Sequence, residues 1–286
     1  MEIGITGKQG FIGNMISKVL SRENHHIVSL DKYTRSCNFG MSKNGLSCND
    51  DLDWVLHFGA ATSISSSFEA PFFTYLNNIS STLKALEIAH RNNSAFLYMS
   101  SYVYGKPEYL PIDEKHPVAS LNPYMGSKII GEQVCGQLSD MFNIPLIILR
   151  VFNVYGDWKI PGRLISDLVE SATLKKPIVL NDPYPHRDYL YIKDFQRLII
   201  KIIDQATVKK GIYNVGYGKS HSNLEVAETV KKISGIDFQI VIGAGRRRND
   251  ITDCVADINL VKSVFDWKPI YSLDKGLKEL LKTGIN

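Results

Sequence analysis

The segment Thr6-Gly7-Lys8-Gln9-Gly10-Phe11-Ile12-Gly13 constrains this chain more than any other. It follows a short apolar run, Ile3-Gly4-Ile5, and opens an amphipathic stretch from about Phe11 to Ser21. Glycines at this spacing allow a tight turn, close backbone approach to a pyrophosphate and close helix–strand packing. The helix N-terminus then offers free N–H groups to an anion. Three glycines in a turn often do no more than turn, so the context decides. A second strand, from His26 to Leu30, ends on Asp31. That is roughly 20 residues further on, where an acid bonds a ribose 2′-hydroxyl. Gly7, Gly10, Gly13 and Asp31 together predict a dinucleotide site. A carboxylate repels a 2′-phosphate and so favours NAD(H); Lys32 and Arg35 nearby keep NADP(H) open.

Short apolar runs alternate with helical patterns through the first half. Residues 54–58, 95–99 and 146–149 read as strands, and 72–91 and 124–141 as helices. This alternation predicts an α/β fold, a Rossmann-type doubly wound parallel sheet buried on both faces. After about Asp157 the pattern loosens, with helices expected at 164–174 and 224–234. This half reads as a smaller, interleaved C-terminal substrate lobe covering the sheet's C-terminal edge, where open α/β folds bind ligands. Residues 189–194 and 212–215 look strand-like enough to return to the main sheet. The expected division is a dinucleotide-binding domain of 1–157 and 187–216, and a substrate lobe of 158–186 and 217–286.

Composition excludes several classes. With 44% hydrophobic and 22% charged residues over 286 positions, the chain is globular rather than disordered or collagenous. The balance of 33 Lys+Arg against 29 Asp+Glu is no nucleic-acid footprint. The one dense basic run, Arg246-Arg247-Arg248, is a local anion contact or a solvated loop. Cys37, Cys48, Cys135 and Cys254 lack paired metal-ligand spacing, so no metal site is expected and the thiols read as reduced. The most apolar run, 144–149, is broken by Pro145 and far too short to span a bilayer. Met1-Glu2-Ile3-Gly4 carries no basic leader. The expectation is a soluble, cytoplasmic protein that engages neither membrane nor nucleic acid.

A Tyr and a Lys four apart on a helix share one face, where the ammonium favours a tyrosinate able to act as base. With 14 Tyr in the chain, chance alone supplies about one such pair. There are five: Tyr102/Lys106, Tyr124/Lys128, Tyr155/Lys159, Tyr189/Lys193 and Tyr271/Lys275. Tyr102/Lys106 and Tyr155/Lys159 contain or adjoin Gly and Pro. Tyr189/Lys193 is strand-like, and Tyr271/Lys275 lies near the C-terminus. Only Tyr124/Lys128 opens a long helix, after Pro123. It also follows a strand ending at Ser100-Ser101, where a hydroxyl would bond both the phenol and a substrate oxygen.

These motifs resemble those of extended short-chain dehydrogenase/reductases of the nucleotide-sugar epimerase/dehydratase family. The likeness runs nearly end to end: TGKQGFIG, HFGAA at 57–61, SSYVYG at 100–105, NPYMGSK at 122–128 and RVFNVYG at 150–156. HRDYLYIKD at 186–194, YNVGYG at 213–218, RRND at 247–250 and FDWKP at 265–269 follow. The resemblance implies that Gly7, Gly10, Phe11, Ile12 and Gly13 hold the pyrophosphate and Asp31 the adenosine ribose. Gly59, Ala60 and Asn78 would line the dinucleotide. Ser100, three before Val103, would be the catalytic hydroxyl, with Ser101 the fallback. Tyr124 would be the acid/base, and Lys128 its activator and a ligand of the nicotinamide ribose. Thr62 and Ser101 fall on the substrate side, and Asn153, Arg187 and Arg247 on positions that hold a nucleotide-sugar diphosphate. The helices near 71–92 and 123–142 correspond to those that pair across the family's dimer interface, so a homodimer is implied.

Departures narrow the reaction. Dehydratases of this family place Asp-Glu after the catalytic hydroxyl; here Ser101 and Tyr102 stand there. Stretch 32–50 is short and lacks an obvious third strand. An NAD-dependent nucleotide-sugar 4-epimerase and an NAD(P)H-dependent 4-keto-6-deoxysugar reductase use the same proton-transfer residues. Asp31 and the diphosphate positions favour the epimerase, the short chain the reductase. A non-catalytic dinucleotide sensor on the same fold is the third reading, against which Ser100, Tyr124 and Lys128 together argue.

Overall fold

In the first apolar run, alternate residues point to opposite faces and both faces are covered. The computed structural model, which describes residues 1–34, 51–157, 159–243, 245 and 251–284, shows how. In chain order the elements begin with β1 (Glu2–Thr6), α1 (Phe11–Arg22), β2 (His26–Ser29), α2 (Asp31–Thr34) and β3 (Trp54–His57). They continue with α3 (Ile64–Glu69), α4 (Pro71–Arg91), β4 (Ala95–Met99), α5 (Pro123–Phe142) and β5 (Leu146–Val151). Next come β6 (Asn153–Tyr155), α6 (Leu164–Leu174), β7 (Ile178–Leu180), β8 (His186–Tyr191), α7 (Ile192–Ile203) and β9 (Gly211–Val215). The chain closes with β10 (Ser220–Ser222), α8 (Asn223–Ser234), β11 (Ile240–Ile242), α9 (Asn259–Phe265) and α10 (Leu273–Gly284).

A six-stranded sheet has the order β2-β1-β3-β4-β5-β9, and every pair from β2 through β5 is parallel. Every residue of β3 and β5 is buried, as a parallel sheet covered on both faces requires. Helix α1 turns Gly13, Ile16, Ser17 and Leu20 inward at helical spacing. Against the sheet, Leu30, Val55, Leu86, Ile88, Phe96 and Ile148 form one continuous apolar cluster. The Rossmann-type fold is therefore as expected.

The chain divides into two compact units. One comprises 1–105, 117–151 and 198–213; the other 106–116, 152–197 and 214–286. Residues 106–116, 152–157, 187–197 and 214–216, which the sequence assigns to the dinucleotide half, lie in the second unit. The strand expected at 189–194 is a correction on two counts. It runs from His186 to Tyr191, and it joins a separate three-stranded sheet, β10-β8-β6, not the main one. Its partners are antiparallel β10 and parallel β6. Helix α7 begins at Ile192, directly after this strand.

In the second unit Asp194, fully buried, accepts the backbone N–H groups of Ile270 and Tyr271 at 3.0 and 2.9 Å. It also pairs with Arg197 at 2.9 Å, and its carbonyl accepts the indole N–H of buried Trp267 at 3.0 Å. This ties α7 to the loop ahead of α10. Helix α8 is closed by a capping box between Ser222 and Glu225 and ends on a left-handed Gly235.

Candidate active site

The turn between β1 and α1 has the geometry its glycines allow. Gly7 has φ +69°, and a Cβ there would lie 2.8 Å from the backbone nitrogen of Gly59. A Cβ on Gly13 would meet the Gly7 carbonyl oxygen at 2.1 Å. Gly10 donates its N–H to the Gly7 carbonyl at 2.9 Å and is the N-cap of α1. No side chain caps this helix and no acid stands in its first turn, unlike the Asn122-capped α5 and the boxed α8. The positive end of α1 thus stays available to an anion. Phe11 and Ile12 begin the helix half-buried. Asp31 opens α2 directly after β2, buried, and its Oδ1 accepts the Gly7 N–H at 2.5 Å. These residues fit a dinucleotide: an uncapped helix end, a turn with no room for side chains, and a carboxylate held beside it.

The end of β3 is braced by a residue the sequence reading left without a role. His57 is fully buried between Thr6 Oγ1 at 2.7 Å and Thr82 Oγ1 at 3.1 Å. Thr82 spends its proton on the Asn78 carbonyl, at 2.8 Å, so it accepts from His57 Nε2. Burial, then the charge of Lys128, holds His57 well below the usual imidazole range. A neutral ring protonated on Nε2 accepts at Nδ1 from Thr6, whose oxygen in turn accepts the Gly59 N–H at 2.9 Å. This relay of hydrogen bonds positions Gly59 and Ala60 opposite the glycine turn. The one clue in the sequence was a histidine closing an otherwise apolar strand.

Asn78, expected at the dinucleotide, is buried and its amide is engaged within the protein. It accepts the Ala61 N–H at 2.7 Å and donates to the Ala61 carbonyl at 3.2 Å and to Ser127 Oγ at 2.8 Å. Its task here is to hold the loop after β3 against α4 and α5. Thr62, next along that loop, is exposed.

Helix α5 starts at Pro123 with Asn122 accepting the Met125 N–H at 2.9 Å. This places half-buried Tyr124 in its first turn and Lys128 one turn below. Lys128 is only 3% exposed. Its Nζ donates to the Met99 carbonyl at the end of β4 at 2.7 Å and lies 4.7 Å from the Tyr98 ring centroid. Burial pulls the Lys128 ammonium down to about 8, with Cys135 and Glu132 opposing. Ser100, 1% exposed, donates its hydroxyl to Glu132 at 2.5 Å. Ser101 is half-buried, and its hydroxyl makes no hydrogen bond among the described residues. Tyr102 donates its phenol to the Gly105 carbonyl at 2.6 Å, which occupies the group standing where dehydratases carry a carboxylate.

In the second unit Asn153 lies on β6 and donates to the Asp188 carbonyl at 3.3 Å. Arg187, on β8, donates through one Nη1 to the carbonyls of His186 and Ile251 at 2.8 and 2.7 Å. Asn153 pairs with Tyr189 and Arg187 with His221, so the register sets all four on one face of the small sheet. Asp188, fully buried, accepts the N–H groups of Tyr217, Gly218 and Ala256 at 2.6, 2.9 and 3.1 Å. Burial pushes its carboxyl up to about 6 against those three bonds. Arg247, like Arg35, Cys37 and Cys48, lies outside the described residues.

Comparison with known proteins follows the same lines. Residues 3–216 match the model of the NAD dependent epimerase/dehydratase family. A putative UDP-glucose 4-epimerase of Methanocaldococcus jannaschii is 27% identical over 97% of this chain and 96% of its own. A UDP-glucose 4-epimerase of Lactobacillus helveticus is 28% identical over 94% of this chain and 92% of its own. Among solved structures, a UDP-glucuronic acid 4-epimerase from Bacillus cereus, in complex with UDP-glucuronic acid and NAD, superposes with a TM-score of 0.85. It is 25% identical and covers 99% of this chain and 98% of that one.

Proposed function

The chain belongs to the NAD dependent epimerase/dehydratase family, and from that premise we propose that it is a nucleotide-sugar 4-epimerase acting on a UDP-sugar. The observation that carries this reading is its match with UDP-glucose 4-epimerases over nearly their whole length. Its compactness therefore does not count against an epimerase. The absence of a carboxylate at Ser101 and Tyr102 supports the same choice over dehydration.

The turn from Gly7 to Gly13, the end of α1 and Asp31 would hold NAD, which when bound would supply reversible hydride acceptance at sugar C4. Tyr124 takes the C4 hydroxyl proton and gives it back. Lys128, fixed by the Met99 carbonyl, sets a positive charge one turn along the same helix, which favours the phenolate. Ser100 lends its hydroxyl to the reacting oxygen, Ser101 and Thr62 meet the sugar, and Asn153, Arg187 and Arg247 bind the diphosphate. The 158–186 and 217–286 segments make the substrate lobe, with β8 and its neighbours 187–197 added to it.

We further propose a homodimer formed by α4 and α5. Phe72, 87% exposed, with Phe73 and Leu76 on α4, and Met141 and Phe142 on α5, leave apolar surface that suits burial by a second copy. No helix among the described residues is long and apolar enough to cross a membrane. Buried free Cys135 and Cys254 suit the reducing cytoplasm.

The test is to purify the protein, denature it and identify the released nucleotide, then supply UDP-glucose or UDP-galactose without added cofactor. Retained NAD+ with interconversion of the two sugars supports the epimerase. Turnover only of a 4-keto sugar, at the expense of added NAD(P)H, would replace it by the reductase.

A further inference from the structure

The Lys128 ammonium has three donors, and the Met99 carbonyl accepts one of them at 2.7 Å. A cation held away from water needs further partners. On β4, next to that carbonyl, buried Tyr98 supplies one: Nζ lies over its ring, 4.7 Å from the centroid. Three elements fix the ring. Its phenol donates to the Lys128 carbonyl at 3.4 Å and bonds Thr82 on α4. His57, its register partner on β3, stacks on it with centroids 5.8 Å apart and planes 21° apart. On α5, Gly131 leaves the room that the phenol needs, since a Cβ there would lie 2.1 Å from the Tyr98 oxygen. A glycine inside a helix is unfavourable relative to alanine, so the helix is weakened at the place that admits this ring.

Other titratable groups surround the same ammonium. Tyr124, Glu132 and Cys135 share its helix, and His57 faces it from β3. Glu132 favours the charged lysine, but Arg150 on β5 holds that carboxylate at 2.7 Å. Burial keeps the Cys135 thiol and the Tyr98 phenol well above their usual ranges and His57 well below its own, so all three stay neutral. The face of a neutral aromatic ring is negative and attracts an ammonium. We propose that Tyr98 is a positioning residue for the reaction: its ring face and the Met99 carbonyl together hold the Lys128 ammonium, charged, one turn from Tyr124. This rests on reading Lys128 as the activator of Tyr124.

The test compares rings of nearly one size. Tyr98→Phe keeps the negative ring face and loses only the hydroxyl, whereas pentafluorophenylalanine in place of Tyr98 keeps the shape and removes the attraction. In the protein as purified, with lysine labelled by carbon-13 at Cε, the Lys128 resonance is titrated against pH. The pH profile of kcat for UDP-sugar interconversion is measured beside it, with retained NAD and the melting temperature as folding controls. Tyr98→Phe should keep the wild-type midpoint, about 8. The fluorinated protein should lose the Lys128 proton at a pH lower by roughly 0.4–1.5 units, because only the charged form gains from the ring face. The alkaline limb of kcat should move down with it, whereas a merely structural ring would lower kcat by one factor at every pH. Equal midpoints in the Phe and pentafluorophenylalanine proteins would overturn the proposal and leave the epimerase standing. A midpoint that falls while the alkaline limb stays put would remove Lys128 from proton transfer, and the proposal with it.

Discussion

The carboxylate of Asp31 and the backbone N–H of Gly7 lie 2.5 Å apart, so the residue that opens α2, just past the second strand, also braces the turn that follows the first. On the proposed reading, one acid serves both recognition of the ribose and the shape of the loop. Asp31→Ala should raise the dissociation constant for NAD at least tenfold, since it loses a charge-assisted acceptor and the brace together. Isothermal titration of nucleotide-free protein measures this; unchanged affinity would remove the ribose role of Asp31.

Tyr124→Phe keeps the ring and deletes the proton donor. Turnover should fall by about 10²–10⁴-fold, the range for a positioned acid/base, while NAD binding stays within a factor of a few. A Phe variant with wild-type kcat would exclude Tyr124 from proton transfer.

Lys128 gives a pH signature of stability. Its folded value, about 8, lies below the 10.5 of an exposed lysine. Between those values the unfolded chain binds more protons than the folded one, so stability rises with pH across the window. Equivalently, burying the ammonium costs most at neutral pH and below. Wild type should gain up to ~3 kcal/mol relative to Lys128→Met between about pH 8 and 10.5. Paired denaturant titrations check it, and a difference constant with pH would contradict it.

Asp194 gathers two backbone amides and an arginine in the second unit. Asp194→Ala removes a buried acceptor shared by two backbone N–H groups and an arginine, at a cost of about 2 kcal/mol. The melting temperature should drop by several degrees, and a change of less than 1 kcal/mol would mean that the loop finds other acceptors.

Much of the fold was legible because its signals are local. Strand β4 and helix α6 have the bounds that periodicity predicts, 95–99 and 164–174. Tyr124 and Lys128 share a face through helical spacing alone, and Pro123 marks the start of their helix. The short elements escaped notice: β6, β7, β10 and β11 are three residues each, too brief for any period to register. Asn78, which the motif assigns to the dinucleotide, also bonds Ala61 and Ser127, partners 17 and 49 residues away that no local pattern announces.

The sequence by itself determined the glycine turn, the parallel sheet and the Tyr–Lys pair, each set by spacing within one or two turns of chain. Only the tertiary structure decided where distant residues meet. It took β8 out of the main sheet, fixed the proton of His57 between Thr6 and Thr82, and placed Glu132 against both Ser100 and Arg150. The reason is physical. Buried polar groups must find partners once water is excluded. For His57, Ser100 and Arg150 those partners lie 18 to 51 residues away, a distance over which no pattern in the sequence carries.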